Sequence, residues 1–255
     1  MAALGSQAVG SIVKLNVNGT AWNWIVVHQG LPGSMYDTSC NGTWLLMEDL
    51  YESRAFDSSN HDYANSDIHS YLNNTFVNLF DSDIKTAIKQ VKIPYRAGSG
   101  SSTTVASGSS GLSAKVFLLS YTEVGFSGSS YAPVEGAVLN YFNGAAASDR
   151  IAYLNGTATY WWLRSPYTGS TRGAWIVNTS GAANYDGITK LYGLRPALVL
   201  PSELTLATGA ITGSINIGGV QRELTGAGYI NIGGVLRELS DSQVNIGGIL
   251  KSLKG

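Results

Sequence analysis

The first part of the chain alternates apolar and polar residues over short stretches, which is the pattern of β-strands with one buried face. Residues 12–17 and 22–28 follow this pattern on either side of Asn18-Gly19, a dipeptide typical of a two-residue hairpin turn. A short apolar run over residues 43–47 predicts a third strand. We therefore expect the chain to open with antiparallel strands.

Two helices are predicted next, because apolar positions recur every three or four residues along this part of the chain. The first spans residues 66–80, with Ser66 or Asp67 as its cap. The second begins after a cap at Asp81 or Ser82 and ends before Pro94. The Gly- and Ser-rich stretch 97–113 has few apolar side chains to bury, which predicts a mobile loop.

The chain then returns mainly to strands. Apolar runs predict strands over residues 115–120, 160–164, 174–178 and 194–200, and one short helix is predicted over residues 134–142. Strands followed by helices and then by more strands indicate an α+β domain, with the helices packed on an antiparallel sheet.

The C-terminal part of the chain repeats one motif, and INIGGVQREL, INIGGVLREL and VNIGGILKSL begin at residues 215, 230 and 244. The Gly-Gly pair of each copy suits a two-residue hairpin turn, which would place Arg222 opposite Ile215. A lone hairpin of this size is marginally stable in water, so the series predicts an anchoring or oligomerising element. A small self-contained β-module is the alternative. Two domains are therefore predicted, residues 1–203 and residues 204–255.

Composition narrows the classes of function. Charged residues make up 13% of the chain and the net charge is −1, whereas ordinary soluble domains are roughly 25% charged. Without a run of Lys and Arg, the sequence lacks the basic patch that nucleic-acid binding needs. It also lacks an apolar segment near the ~18 residues of a membrane helix, and its N-terminus does not resemble a secretory leader. We expect no nucleic-acid binding, no membrane insertion and an unprocessed protein made in the cytoplasm.

Catalytic and metal-binding patterns are weak. Cys40 is the one cysteine, which excludes an intrachain disulfide and a four-cysteine zinc site. His61 and His69 are not spaced like zinc ligands on a helix, so a surface or capping role is the simpler interpretation. The acidic residues over 57–67 do not match the calcium-loop pattern, although a loop calcium site stays open. Phosphate-loop and G-x-S-x-G motifs are absent. We expect no enzymatic activity, no cofactor and no metal.

The strongest functional pattern lies in residues 160–200. Two apolar runs enclose a segment rich in Tyr, Ser, Thr, Asn and Gly around one Trp. Polar and aromatic segments on a rigid scaffold are typical of recognition surfaces. We predict a ligand-binding surface that comprises Tyr167, Ser170, Thr171, Arg172, Trp175, Asn178, Asn184, Tyr185, Asp186, Thr189, Lys190 and Tyr192.

Four large residues in the apolar runs are predicted to build the scaffold. Trp161 and Trp162 are adjacent, so a strand would turn one into the core and leave the other to floor the predicted surface. Arg164 and Arg195 are flanked by apolar residues. We expect these arginines to be partly buried and to tie loop carbonyl or carboxylate groups together, with direct ligand contact as the alternative.

At these residues the chain resembles a family of domains of unknown function that is common in phages and prophages. The motifs are WWLRSP, then AWIVN, then YGLRPALVL, preceded by WNWIVV, SDIHSYLNNTF, NLFDSDIKTAIKQVKIPY and KVFLLSYTEV. The resemblance covers roughly residues 10–202. It implies a C-type-lectin-like fold, related in layout to retroelement-diversified receptor-binding proteins and to formylglycine-generating enzymes. The calcium motifs of sugar-binding C-type lectins do not occur, and one cysteine cannot supply the cysteine pair of the formylglycine-generating enzymes. The NIGG tail resembles repeats of phage structural proteins.

The leading hypothesis from the sequence is a phage virion surface protein that binds a host cell-surface glycan or protein. Residues 204–255 would contact other virion proteins and form a homo-oligomer, with a trimer favoured. The alternatives are a structural or decoration protein of the capsid, collar or tail, and an enzyme that acts on cell-wall polymer. The expected location is the virion, which a protein without a signal peptide reaches through lysis.

Overall fold

The computed structural model describes residues 3–206 and, in backbone only, six strands between residues 213 and 252. It divides into two units, Ala2–Leu204 and Thr205–Gly255. The strands of the first unit are, in chain order, β1 Ile12–Val17, β2 Thr20–Gly30, β3 Gly42–Met47, β4 Ser53–Arg54, β5 Val91–Ile93, β6 Tyr95–Arg96, β7 Val105–Ala106, β8 Leu112–Ala114, β9 Val116–Phe117, β10 Tyr153–Leu154, β11 Thr157–Ala158, β12 Trp161–Pro166, β13 Gly173–Val177, β14 Ala183–Gly187, β15 Tyr192–Gly193 and β16 Ala197–Leu200.

The helices of the first unit are short. Two are α-helices, α1 Asp67–Asn74 and α2 Ser82–Ala87. The remaining helical turns are of the 3₁₀ type and lie at Leu4–Ser6, Thr38–Cys40, Tyr63–Asn65, Phe76–Leu79, Gly108–Ser110, Asn140–Phe142 and Ala147–Arg150. None of the described helices is long and apolar enough to cross a membrane. The described residues thus form a mixed α+β structure, mostly sheet, which confirms the predicted class.

The first large sheet has the strand order β1-β2-β3-β16-β9. Its opening hairpin turns at Asn18 (φ 51°) and Gly19 (φ 73°), the two positive φ angles that a tight hairpin turn requires. This hairpin and the strand predicted over residues 43–47 are confirmed. The last strand of the first unit, β16, belongs to the same sheet and pairs antiparallel with both β3 and β9.

The second large sheet has the strand order β14-β13-β12-β15-β4. Its strands β12 and β13 are buried on both faces of the sheet. Trp161 belongs to the main core cluster, together with Trp44 of the first sheet. Trp162 points to the opposite face, where its ring centroid lies 5.6 Å from that of Phe56. The prediction that one tryptophan would floor an exposed surface is wrong, because both indoles are fully buried. Elements on each side of this sheet cover them.

A buried ion pair fastens the second sheet to the loops around it. The Arg164 guanidinium forms two hydrogen bonds with the Glu123 carboxylate, at 2.5 and 2.8 Å, and also donates to the carbonyls of Pro94 and Leu118. Arg195 donates likewise to the backbone carbonyls of Met47, Glu48 and Arg150. The predicted tying role of both arginines is confirmed, and their burial is complete rather than partial.

Three predicted elements differ from the structure. The stretch 97–113 carries β7 and β8, which pair with β6 and β5, and so is not simply a loop. The strand predicted over residues 115–120 stops after Phe117, because the next backbone groups bond to side chains such as the Tyr63 hydroxyl. The helix predicted over residues 134–142 is only a terminal 3₁₀ turn, since Gly136 adopts φ 105°.

Both predicted α-helices exist in shortened form. Ser66 caps α1 by accepting the His69 N–H, as expected, but the helical path breaks at Thr75 (φ −117°, ψ −60°) before a 3₁₀ turn. Helix α2 begins after Asp81, as predicted, and ends at Ala87. The chain then becomes extended and enters β5, so Val91 is buried as a strand residue.

The second unit is described through its strands alone: β17 Gly213–Ile217, β18 Val220–Leu224, β19 Tyr229–Ile232, β20 Val235–Ser240, β21 Gln243–Ile246 and β22 Ile249–Ser252. Antiparallel pairing places Ile215 opposite Arg222. The Gly-Gly pairs between the strands lie outside the described residues. The anchoring and oligomerising role of this unit stays a prediction.

Candidate ligand-binding surface

Four aromatic side chains form a continuous surface, which we call the aromatic platform: Tyr131, Tyr167, Trp175 and Tyr185. The rings of Tyr167 and Tyr185 are stacked, with centroids 3.6 Å apart and an interplanar angle of 1°. Tyr131 lies 5.1 Å from Tyr167, and Trp175 meets Tyr167 edge-on at 5.4 Å. Tyr131 and Tyr185 are 50% and 47% exposed, whereas Trp175 is 7% exposed. Trp175 is therefore the floor of the platform, and the tyrosines are its accessible part.

Strand pairing explains why Trp175 and Tyr185 meet. The backbone N–H of Asn178 donates to the carbonyl of Ala182, so this is a hydrogen-bonded pair at the end of the β13–β14 ladder. Hydrogen-bonded and non-hydrogen-bonded pairs alternate along an antiparallel ladder, which makes Trp175–Tyr185 a non-hydrogen-bonded pair. Such pairs have their Cα atoms only about 4.5 Å apart, so their side chains contact closely on one face.

A loop from a distant part of the sequence completes the platform. The Tyr131 carbonyl accepts hydrogen bonds from the Trp175 indole Nε1 (3.2 Å) and from the Thr168 backbone N–H (3.0 Å). These two bonds fix the 127–134 loop against the second sheet. Tyr131 consequently lies beside Tyr167, although the two residues are far apart along the chain.

A small cleft adjoins the platform. Its volume is about 140 Å³, and it is lined by Tyr121, Thr122, Phe126, Ser127, Gly128, Ser129, Ala132, Pro133 and Val134. Tyr121 connects the cleft to the platform, because its ring centroid lies 4.5 Å from that of Trp175 and 5.2 Å from that of Phe126. The platform and the cleft therefore share a wall.

The same alternation that brings Trp175 to Tyr185 turns the backbone N–H groups of Tyr185 and Gly187 away from β13. Within the described residues β14 is an edge strand, so these N–H groups face the open side of the sheet. Each is occupied by the preceding side chain: Asn184 Oδ1 accepts from Tyr185 (2.8 Å), and Asp186 Oδ1 accepts from Gly187 (2.7 Å). The edge therefore offers fewer free donors for pairing with another strand.

The other predicted surface residues do not join the platform. Asp186 faces away from Tyr185 and accepts a hydrogen bond from the Tyr192 hydroxyl. This bond holds the pKa of Asp186 below its usual range, while burial together with the Asp186 bond raises the pKa of Tyr192 to about 12. Asn178 organises its own turn, since its Oδ1 accepts the N–H groups of Ser180 and Ala182.

The remaining members of the predicted set lie on loops. Arg172 is exposed and donates to the carbonyl of Ser58. The other four are exposed outside the platform, and they are Ser170, Thr171, Thr189 and Lys190. The structure thus brings together Tyr167, Trp175 and Tyr185 of the predicted set.

Sequence reasoning missed Tyr121, Phe126 and Tyr131. A signal was present, because Tyr131 stands in the Gly- and Ser-rich stretch GFSGSSYAPVEG, whose composition resembles that of residues 167–192. This stretch is a loop, which lets it reach the second sheet.

The histidines and acidic residues weighed as metal ligands have structural partners. His61 is fully buried, contrary to the expected surface or capping role. Its Nε2 accepts the N–H of Gly100, so Nδ1 carries the proton and donates to the Gly173 carbonyl. The Asp57 carboxylate accepts backbone N–H groups, including that of Asp67. Among the described residues, no group of three His, Cys, Asp or Glu side chains could hold a metal ion.

Comparison with known proteins identifies one family. Neither the curated proteins nor the solved structures give a match to the chain. The family described as Domain of unknown function (DUF6273) matches residues 41–202, which is more than half of the chain and includes both sheets' central strands, the cleft and the platform. The protein therefore belongs to the DUF6273 family.

Proposed function

We propose that this protein binds a ligand on the surface of bacterial cells and is carried on a phage particle. Residues 1–203 would form a C-type-lectin-like recognition domain. Residues 204–255 would hold it to other virion proteins as a homo-oligomer, with a trimer favoured. The motif resemblance supports the viral setting, and the aromatic platform supports recognition.

The exposed aromatic platform carries the proposal. Tyr131 and Tyr185 leave about half of their surface in water. Tyrosine supplies a large contact area with few rotatable bonds, which is why recognition surfaces favour it. Hydrogen bonds to the Tyr131 carbonyl and close cross-strand packing support the platform. A preformed surface loses little entropy when it binds.

Several copies of the platform on one particle would strengthen weak binding. One platform of this size would give modest affinity, and several platforms on one particle would raise the effective affinity by the effective concentration of the second site. The repeated hairpins of residues 213–252 are the segment that we propose for this assembly.

Adsorption of the purified protein to a panel of bacterial strains tests the proposal. We expect fluorescently labelled protein to bind at least one strain, and we expect Tyr185→Ala to reduce binding at least tenfold. Tyr153→Ala is the matched control, because Tyr153 is similarly exposed (43%) but is not part of the platform. Equal adsorption of the two variants and the unaltered protein would contradict the proposed role of the platform.

The competing function is a structural or decoration protein of the particle. In that case residues 167–192 would be buried against neighbouring subunits. The capped edge of β14 favours the recognition function, because an edge that joins subunits by strand addition needs free backbone donors. Electron cryomicroscopy of an intact particle distinguishes the two, since only recognition requires a solvent-facing platform.

A further inference from the structure

We infer that the platform and its cleft bind a neutral N-acetylated sugar, with the pyranose ring on the exposed tyrosines and the acetamido methyl group in the cleft. This inference rests on the proposed recognition function and specifies its ligand class. It is carried by the charge, the size and the position of the cleft.

Charge excludes ionic ligands. No charged side chain is among the residues described as lining the cleft, and none belongs to the platform. The charged groups behind this lining have partners of their own. Glu123 and Arg164 form a buried ion pair, and the Arg150 guanidinium, whose Cζ lies 4.8 Å from the Phe126 ring centroid, donates to the carbonyls of Val124 and Ala146. A charged group that entered the cleft would lose hydration without contacting a counter-charge in the lining, which is strongly unfavourable. The site is therefore complementary to an uncharged ligand.

Size indicates a substituent rather than a whole ring. Sites for drug-sized molecules enclose roughly 300–1,000 Å³, whereas the cleft encloses about 140 Å³. Phe126, Ala132 and Pro133 make its walls apolar, and Thr122 and Ser127 add hydroxyl groups. A short group with an apolar end and an amide matches this lining. The acetamido group of an N-acetylhexosamine has that composition.

Position allows one ligand to occupy both parts. The C–H groups on one face of a pyranose form an apolar patch that packs on an aromatic ring, and exposed tyrosine faces supply such rings. Tyr131 lies within the loop that borders the cleft, between the lining residues Ser129 and Ala132, while Tyr121 belongs to the cleft and contacts the platform floor at Trp175. A ring on the platform would thus lie next to the opening that takes its substituent.

Saturation-transfer NMR on the full chain tests the inference. The probes are the methyl glycosides of N-acetylglucosamine and N-acetylgalactosamine, with the methyl glycosides of glucose and galactose for comparison. We expect at least one acetylated probe to bind at least tenfold more tightly than its parent sugar, with the strongest saturation at its acetyl methyl group. Equal affinity of every acetylated probe and its parent sugar, or weak saturation of the methyl group, would overturn the inference.

Variants separate the cleft from the platform. Thr122→Trp fills the cleft, so it should remove the preference for the acetylated sugar and leave binding of the parent sugar unchanged. Val134→Asp is a second cleft variant that is expected to fold, because Val134 is 63% exposed and tolerates a polar side chain. Tyr185→Ala should weaken both sugars at least tenfold. Circular dichroism and thermal unfolding establish that each variant is folded, and retained preference in both folded cleft variants would overturn the inference.

Failure of the inference and failure of the proposed function give different results. If Tyr185→Ala abolishes adsorption to cells while no sugar probe binds, recognition stands and the N-acetylated sugar is wrong. If a protein partner occupies the platform instead, protease treatment of the cells will abolish adsorption while no sugar probe binds, and this combination overturns the sugar. If adsorption is independent of Tyr185 and no probe binds, both proposals fall.

Discussion

The ring of Tyr185 lies parallel to the ring of Tyr167, with 3.6 Å between their centroids, and together they cover Trp175. One tyrosine comes from the edge strand β14, and the other follows directly after β12. The pair therefore bridges across the intervening strand β13. Loss of this stacked pair would therefore disturb the whole platform.

Removal of the outer ring should expose the tryptophan beneath it. We expect Tyr185→Ala to increase iodide quenching of Trp fluorescence and to lower the free energy of unfolding by about 1 kcal/mol, the range of one aromatic pair plus partly buried area. Tyr185→Phe should restore both values, because it keeps the ring. Tyr153→Ala, with no platform contact, should leave quenching unchanged; an equal increase there would contradict the cover role of Tyr185.

The Arg164–Glu123 pair should be essential for stability. Arg164→Met leaves the Glu123 carboxylate buried without its counter-charge, and breaking a buried pair from one side costs about 3–5 kcal/mol. Urea unfolding measures the loss. Arg164→Met with Glu123→Gln should recover part of it, because the double variant no longer buries a charge at position 123. A loss below about 1 kcal/mol in the single variant would show that the pair is not the fastening point.

Stability should decrease in mild acid because of His69. Burial lowers the pKa of His69 from 6.5 to about 4, so the unfolded chain binds a proton in a range where the folded chain does not. This contribution to stability is complete above pH 6.5 and is lost as the pH falls toward 4, by at most about 3 kcal/mol. Burial also lowers the pKa values of His28 and His61, which act in the same direction. Urea unfolding between pH 7 and 4.5 should show that the free energy of unfolding of His69→Gln falls less steeply with decreasing pH than that of the unaltered protein. An equal dependence on pH in the two proteins would exclude His69 as a source of the acid sensitivity.

The capped edge of β14 should keep the protein from pairing through this strand. Asn184→Val with Asp186→Val frees the backbone N–H groups of Tyr185 and Gly187, and we expect concentration-dependent self-association in sedimentation velocity beyond that of the unaltered chain. Asp186→Asn, which keeps an acceptor oxygen, is the control. Identical sedimentation of the double variant and the control would show that the caps have no such role.

Local signals in the sequence were sufficient for the parts of the fold that depend on neighbouring residues. The Asn18-Gly19 hairpin and the Ser66 cap are formed within a few residues. The hairpin was predicted, and Ser66 was one of the two predicted caps. The helix predicted over residues 134–142 failed because Gly136 adopts φ 105° and the Glu135 backbone carbonyl accepts from distant side chains, the Ser120 hydroxyl and the Arg164 guanidinium. Such bonds depend on the tertiary fold, which periodicity does not report.

The candidate site was half predictable for the same reason. Tyr167, Trp175 and Tyr185 stand in one polar-aromatic segment, so composition identified them. The segment did not reveal that Trp175 would be covered, because its cover includes Tyr131 from a loop that contacts it only in the folded chain. Strand register then separated Asp186 from Tyr185, since adjacent residues of a strand face opposite sides.

The bonds to the Tyr131 carbonyl have a consequence for engineering new binding specificities. They make the platform a joint product of the 127–134 loop and the segment from Tyr167 to Tyr185. Transfer of the later segment alone into another member of the family would bring a Trp175 whose indole faces an unmatched loop. Libraries or chimaeras that vary both segments together should yield folded binders more often than those that vary either one.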